Sequence, residues 1–399
     1  MNLPLVNAEH QVAELEQQGA QTLVLGPHSR VQVYSSLEEL PHSLLDLFEA
    51  AERHDFFLTL PWFRNYIKTS LAPDDRVRIY GVTGTGEDQT NAGMLLMRSS
   101  TSPSSFFSSR KLQALANYYT CFFAPHLADS GTVPRGALQA LAAAIAGEIP
   151  RWDCVELKPL DVDSKGFSLL VEALKTAGFV VQTYFASGNW YLPVNGRSFA
   201  QYAEGLPSVM KNTLNRKRKK LEKSSRAKIE IVTGGNGLDA AIEAYMKVYL
   251  ASWKKPEPYP EFIPGLIRTC AAVGALRLGI VYVDGEPAAA QLWIMHNRRA
   301  LIYKLAYDER FADLSVGTIL SAALFEHALD IDRVSEVDYL SGDDAYKKDW
   351  MSHRRERWGI LALNPRTPHG ALAIARHVGG RAVKRAALAL SSRFRHQKQ

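Results

Sequence analysis

Cysteine is scarce: the 399-residue chain has 3, at Cys121, Cys154 and Cys270. An odd number, far apart and without metal-type spacing, excludes a disulfide framework and gives no candidate metal ligands. It fits buried free thiols in a reducing compartment, so the cytoplasm is the expected location. Long apolar runs are missing as well. No window is apolar over the roughly 18 consecutive residues that a membrane-spanning helix needs. Met1 to Gln21 is polar and acidic, without a basic start or an apolar core, so no secretory leader is expected. A Gly-x-Ser-x-Gly or Cys–His signature is also absent, which leaves no indicated covalent nucleophile. What remains is a soluble-type composition with 46% hydrophobic residues and a net charge of +6, ample for two or three domains with real cores.

The most informative stretch runs from Leu276 to Ile360. Residues 276–283 and 287–296 are apolar and partly alternating, and Asp284-Gly285 between them predicts a hairpin because both residues tolerate positive φ. A second turn at Asn297-Arg298-Arg299 leads to a third strand, Ala300 to Tyr307, and Ile319 to Leu329 then carries apolar residues at helical spacing. A loop containing Ser315, Val316, Gly317 and Thr318 therefore opens a helix shortly after a strand. The first amides of a helix lack intrahelical partners and its dipole is positive there, so these four residues could hold a phosphate; Ser315 or Thr318 could equally be plain helix caps.

This stretch resembles the GNAT-like acyltransferases of the CelD kind and, more distantly, the FemAB-type peptidyltransferases. The resemblance rests on Tyr303-Lys304, Tyr307-Asp308, Ser315-x-Gly317, Asp338 and above all Gly342-Asp-x-x-Tyr346-Lys347-x-x-Trp350, in that order, and weaker similarity reaches back to about Phe56. One departure is Ser341, where relatives often carry a basic residue. The resemblance implies a tandem GNAT-like α/β fold of mixed sheets, acyl-CoA as co-substrate with no tightly bound cofactor, and a small amine as acceptor.

The rest of the chain repeats the pattern. Arg76–Met97, Lys111–His126, Arg135–Glu148 and Asp153–Leu157 give hairpin, strand (expected at Tyr118 to Phe123), helix, strand. Leu276–His296, Ala300–Tyr307, Gly317–Asp330 and Ser335–Leu340 give the same order, so one mixed α/β unit is duplicated. The first copy lacks the Tyr-Lys-x-x-Trp block and is degenerate. The expected organisation is a polar segment 1–25, a first half 26–195, a catalytic half 196–365 and a basic tail 366–399. Gly84-x-Gly86 reads as a hairpin tip, since no helix follows it.

Between the halves, Pro207 to Lys228 holds nine Lys and Arg against Glu222 alone, a net +8 that exceeds the charge of the whole chain. A charged helix over 208–226 is expected there. It is either a solvated face or a dock for coenzyme A phosphates, an acyl-carrier protein or tRNA. The tail 366–399 has eight Lys and Arg and no acid; as a helix it would suit an anionic membrane surface at the inner face, and a disordered basic tail is the other reading.

Acyl transfer needs an oriented donor, a group to take the amine proton and donors for the developing oxyanion. By the resemblance, the pyrophosphate would rest on Ser315 to Thr318, with Lys304 and Lys347 also on the donor. Asp343 or Asp344 would be the base or position the amine, or merely cap a turn, and Tyr346 would protonate the departing thiolate or pack. Tyr307 and Asp308 would face the acceptor or cap the strand. Trp62 and Trp350 would line the cleft or belong to the core, and Tyr249, Trp253 and Tyr259 could line an acceptor pocket. A FemAB-like enzyme using aminoacyl-tRNA and a non-enzymatic adaptor for nucleic acid or membrane are the other classes.

Overall fold

A computed structural model describes residues 21–24, 30–83, 92–100, 109–129, 133–218 and 226–377. The Gly84-x-Gly86 tip, the serine-rich residues 101–108, residues 130–132, residues 219–225 of the basic stretch and the tail from 378 lie outside these, as does most of the segment 1–25. The described chain forms two compact units. One takes its residues from Met1–Ala51, Ala72–Tyr184 and Gly359–Gln399, the other from Glu52–Leu71 and Phe185–Trp358.

In the first unit, β1 (Gln21–Val24), β2 (Arg30–Tyr34), β3 (Asp75–Val82), β4 (Gly93–Ser100) and β5 (Lys111–Ala114) pair antiparallel in sequence order, with the short β6 (His126–Leu127) also on β4. β7 (Cys154–Asp161) then joins β5 in parallel, Lys111 opposite Cys154. A crossover helix, Arg135–Gly147, makes the parallel pair possible and buries Leu138, Leu141 and Ile145 in the core of this unit.

The strand expected at Tyr118 to Phe123 is not there. Asn117 folds the chain back, its side chain accepting from the Tyr119 amide at 2.9 Å and its carbonyl from the Thr120 amide at 3.0 Å, and Tyr118 is left 68% exposed. An Asx turn has overridden the aromatic strand signal, and the pairing strand lies earlier, at β5.

The second unit repeats the order. β8 (Val180–Pro193, this unit from Phe185 on), β9 (Ala227–Val232), β10 (Leu276–Val283), β11 (Glu286–His296), β12 (Arg299–Tyr307) and β13 (Glu336–Ser341) form a sheet in the order β8-β13-β12-β11-β10-β9. All pairs are antiparallel except β12 with β13. The crossover is the helix Val316–Glu326. Both predicted hairpins close on two residues with positive φ, Asp284-Gly285 and Asn297-Arg298, whose twist matches that of the strands. Hairpin, strand, helix and parallel strand thus recur in both units, and the fold is a tandem of GNAT-like mixed α/β units.

Trp293, Phe325, Leu320 and Val337 centre the second core, each fully buried and each contributing about 1.5–3 kcal/mol. Cys270 is buried, whereas Cys121 and Cys154 are half-buried. Among the described residues no helix is long and apolar enough to cross a membrane.

Candidate active site

The parallel ladder of β12 and β13 covers three residue pairs, Arg299–Leu301 with Glu336–Asp338, and ends there. β12 continues from Ile302 to Tyr307, so a gap opens between the two strands. β12 also slips register against β11 between Leu292 and Trp293, which leaves Tyr303 as a bulge residue beside Lys304. A bulge bends its strand and re-aims side chains, here at the mouth of the gap.

The closed end is tied by charge. Asp338 is fully buried and accepts from Asn189 Nδ2 at 2.5 Å, the Leu340 amide at 2.6 Å, Arg299 at 3.1 Å and Arg355. Glu336 takes Arg299 at 3.1 Å and Arg355 at 2.8 Å, and Asp55 takes Arg299 at 3.1 Å. Burial pushes the Asp338 carboxyl up, but Arg355 and Arg299 outweigh it and hold it below the ordinary carboxylate range. Leu340, one residue short of the end of β13, is forced to φ 56°. The loop that follows starts with Gly342 at φ 117°, where an added Cβ would lie 2.8 Å from Lys347 Nζ.

Lys347 is buried and donates to the carbonyls of Ser341 at 2.9 Å, Gly342 at 3.3 Å and Tyr339 at 3.4 Å, with Asp344 at 3.3 Å. Its ammonium therefore braces the 341–347 loop. Asp343 is held by both arms of Arg354 at 2.8 and 2.7 Å and accepts from Trp190 Nε1 at 3.1 Å, which lowers its pKa. Asp344 is the more open carboxylate. Tyr346, 43% exposed, meets the Tyr339 ring edge-on at 5.7 Å, and burial and then Asp344 push its hydroxyl up to about 12. It is a neutral proton donor at physiological pH.

At the other lip, Ser315 sits in the left-handed region at φ 55° and precedes the Val316 helix without capping it. Its hydroxyl accepts from Lys217 Nζ at 2.9 Å, and Lys217 also donates to the Asp313 carbonyl at 2.9 Å. A cation at the positive end of a helix dipole is unfavourable by itself; an anion there would reconcile the two. The Gly317 carbonyl is fixed by Gln291 at 3.1 Å, the Val316 side chain is buried, and Thr318 is half-buried in the first turn. A Cβ at Gly317 would stand 3.3 Å from the Tyr307 ring, which packs against Trp253 at 4.6 Å.

Lys304 pairs with Glu257 at 2.8 Å. Asp308 turns away, capping the Arg310 amide at 2.9 Å and pairing with that arginine at 2.8 Å. Trp62 is fully enclosed by Phe57 at 4.6 Å, Phe262 at 5.6 Å and Tyr303 at 6.3 Å, and Trp350 is stacked on Phe325 at 4.8 Å. The structure thus gathers Lys304, Tyr307, Ser315 to Thr318 and the 343–347 loop around the gap, and places Trp62 and Trp350 among core aromatics. Tyr249 is buried too, its hydroxyl on the Lys255 carbonyl at 3.0 Å.

Lys217, Lys254, Glu257 and Arg354 were not singled out from sequence as site residues. Lys217 was one cation in a run of nine, and Lys254 and Glu257 lie in a proline-broken loop with no periodicity to aim them. Arg354 follows the recognisable block by four residues.

With this geometry, the fold defines a class: GNAT-like units in tandem, with a split parallel pair in the second unit. Residues 208–348, which include Lys217, Lys254, Glu257, Lys304, Tyr307, Ser315 to Thr318 and the 343–347 loop, match the acetyltransferase (GNAT) domain family. Among solved structures the chain is similar to FemX, with a TM-score of 0.54 and 11% identity over 80% of this chain and 96% of that one. It is also similar to a tandem GNAT protein from the clavulanic acid biosynthesis pathway (TM-score 0.48, 14% identity, 84% and 100% covered). L-PGS from Bacillus licheniformis is a third (TM-score 0.48, 11%, 86% and 97%). At 11% identity, what the chain shares with FemX is the fold. By sequence the chain matches no curated protein.

Proposed function

We propose that the protein transfers an acyl group from acyl-CoA to a small amine by direct attack within a ternary complex. The observation that carries this reading is the gap between β12 and β13 with Lys217 and an uncapped helix start at its rim. Pyrophosphate oxygens would sit on the amides of Val316, Gly317 and Thr318, with Lys217 swinging from Ser315 to the anion. The pantetheine arm would follow β12 beyond Leu301, taking hydrogen bonds from the unpaired side of the strand. Asp344, open at the loop, and Asp343, aimed by Arg354, would orient the acceptor ammonium. Tyr346 would give its proton to the departing sulfur.

Catalysis is assigned to the half 196–365. By its resemblance to the CelD kind, a sugar or another cell-envelope precursor is the proposed acceptor, and the cytoplasm, or the inner membrane face through the tail, the proposed location. An acyl-carrier protein is the alternative thioester donor. A second reading, an aminoacyl-tRNA donor, is favoured by the basic stretch, of which Lys211, Arg216, Lys217, Arg218, Arg226 and Lys228 are described.

Calorimetry of acetyl-CoA, a long-chain acyl-CoA and free CoA against wild type and Gly317→Glu, at two salt concentrations, separates these readings. Binding by wild type and its loss in the variant supports a CoA donor. No CoA binding together with steeply salt-dependent tRNA binding would replace this reading with the second.

A further inference from the structure

Trp253 and Lys254 follow the helix Leu238–Leu250, and the Lys254 ammonium lies 5.8 Å from the Trp253 ring centroid. The charged groups that act on it come from three directions: Lys304 on β12, Glu257 in its own loop, and Asp344 and Lys347 in the loop after β13. Trp253 against Tyr307 at 4.6 Å and Glu257 on Lys304 at 2.8 Å lay the 253–257 loop along β12 beyond its paired end, and Lys254 comes between these two contacts in the chain. The uncharged groups at the same place are Tyr307, against Trp253, and Tyr346, beside Asp344.

Two lysines share this partly buried cluster on unequal terms. Lys304 has a carboxylate, Glu257, at 2.8 Å; Lys254 has none within 4 Å among the described residues. An ammonium withdrawn from water beside another that has taken the local carboxylate loses its proton readily. Burial first and Lys304 second bring Lys254 from 10.5 down to about 8. Glu257 Oε2 is buried without a hydrogen-bond partner, so an acceptor arriving as an ammonium would supply the donor it lacks.

We infer that Lys254 is the base of the reaction, its Nζ accepting the proton that leaves the acceptor nitrogen as that nitrogen attacks the thioester carbonyl carbon. This rests on the acyl-transfer reading above. An acceptor bound as an ammonium first gives one proton to solvent, and the neutral nitrogen then attacks: the C–N bond forms and the C–S bond breaks, with the C–S electron pair leaving on sulfur. The nitrogen's proton goes to the Lys254 lone pair, and the Tyr346 hydroxyl protonates the thiolate. Solvent then returns the Lys254 proton to Tyr346, and nothing is oxidised or reduced.

The test uses the full chain in two assays. Competitive labelling of lysines by acetic anhydride between pH 6 and 10, read by mass spectrometry, should give Lys254 a midpoint near 8, and Lys304→Met should raise it. Release of CoA from acetyl-CoA, with glucosamine and ethanolamine as probe amines, should show a kcat inflection near 8. In Lys254→Met and Lys254→Arg that inflection should vanish and kcat should fall by roughly 10²–10⁴-fold, with the KM for acetyl-CoA little changed. A Lys254 midpoint above 10, or variants that keep the wild-type rate and inflection, overturns the assignment while acetyl-CoA binding stands. Failure of wild type to bind acetyl-CoA or a long-chain acyl-CoA by calorimetry overturns the parent reading, and this one with it. If CoA binds and neither amine is acylated, the labelling midpoint with acetyl-CoA bound decides: near 8 supports the base, and above 10 removes it.

Discussion

Lys217 Nζ rests 2.9 Å from Ser315 Oγ, so a side chain from the basic stretch occupies the mouth of the Val316 helix. Its charge opposes the helix dipole, and the strand gap beside it is the place where a phosphate would end that opposition. Lys217→Ala should weaken acetyl-CoA binding by about tenfold, roughly 1–2 kcal/mol for one charge-assisted contact, and should flatten its salt dependence. Calorimetry at low and high salt checks both. Unchanged affinity would remove Lys217 from the donor site.

Gly317 carries the same argument from the steric side. A Cβ there would meet the Tyr307 ring at 3.3 Å, a contact that a small shift of the ring absorbs. Gly317→Ala should therefore fold and bind acetyl-CoA a few-fold more weakly, whereas Gly317→Glu places a carboxylate where the phosphate would sit and should abolish binding. If the two variants bind alike, backbone approach at this loop plays no part in donor recognition.

Asp338 supports the site without touching it. It is fully buried between Arg299 and Arg355, and it also fixes the Leu340 amide where β13 breaks its register. Asp338→Asn leaves two guanidinium groups with less than their complement of negative charge, and should cost about 3–5 kcal/mol in urea unfolding. Its lowered pKa gives the sign of the pH effect. The stabilisation is present above the unfolded carboxylate value of about 4 and is lost as pH falls through the lower folded value. The wild type should lose stability at acid pH more steeply than Asp338→Asn does.

The sequence shows the hairpins, the crossover helix and the duplication because each is written locally: Asp284-Gly285 supplies positive φ, and apolar residues recur at strand or helix spacing. Asn117 defeated the strand reading at Tyr118 because an Asx turn needs one side chain, while periodicity averages over many. The site was legible as a set of loops, not as contacts. The Gly342 to Trp350 block marks a loop, yet that Lys347 braces its carbonyls and that Arg354 holds Asp343 are settled by packing across β8, β13 and β14 (His353–Leu363). Lys254 was invisible for the same reason, since its neighbours come from three separate segments.

Tyr346 offers a test of the leaving-group step. Its hydroxyl is held neutral, up to about 12, and its ring is partly exposed. Tyr346→Phe should keep the KM for acetyl-CoA and the folding stability, and should lower kcat by about 10²-fold when CoA must leave as a thiol. With a thioester of a more acidic thiol the loss should shrink. An equal loss for both thioesters would assign Tyr346 to packing instead.

A base held in an unfavourable setting should show its cost in stability. Lys254 is lowered from 10.5 to about 8 by burial and Lys304, so at pH 7 the folded protein carries a charged group that would rather be in water. Between about 8 and 10.5 the unfolded chain binds more protons at this residue than the folded one, so its contribution to stability rises with pH across that window. The penalty is complete below 8 and gone above 10.5. Lys254→Met should therefore be more stable than wild type at pH 7, by roughly 1–3 kcal/mol, and the advantage should fade as pH approaches 10. Urea unfolding of both proteins at pH 7 and 10 measures it, the paired difference cancelling the titration of other groups. A variant that is more stable by the same amount at both pH values would mean that Met packs better there, and that Lys254 titrates normally. A gain at pH 7 that disappears at pH 10, in a protein that has lost its acyl transfer, would show stability given up for a reactive lysine.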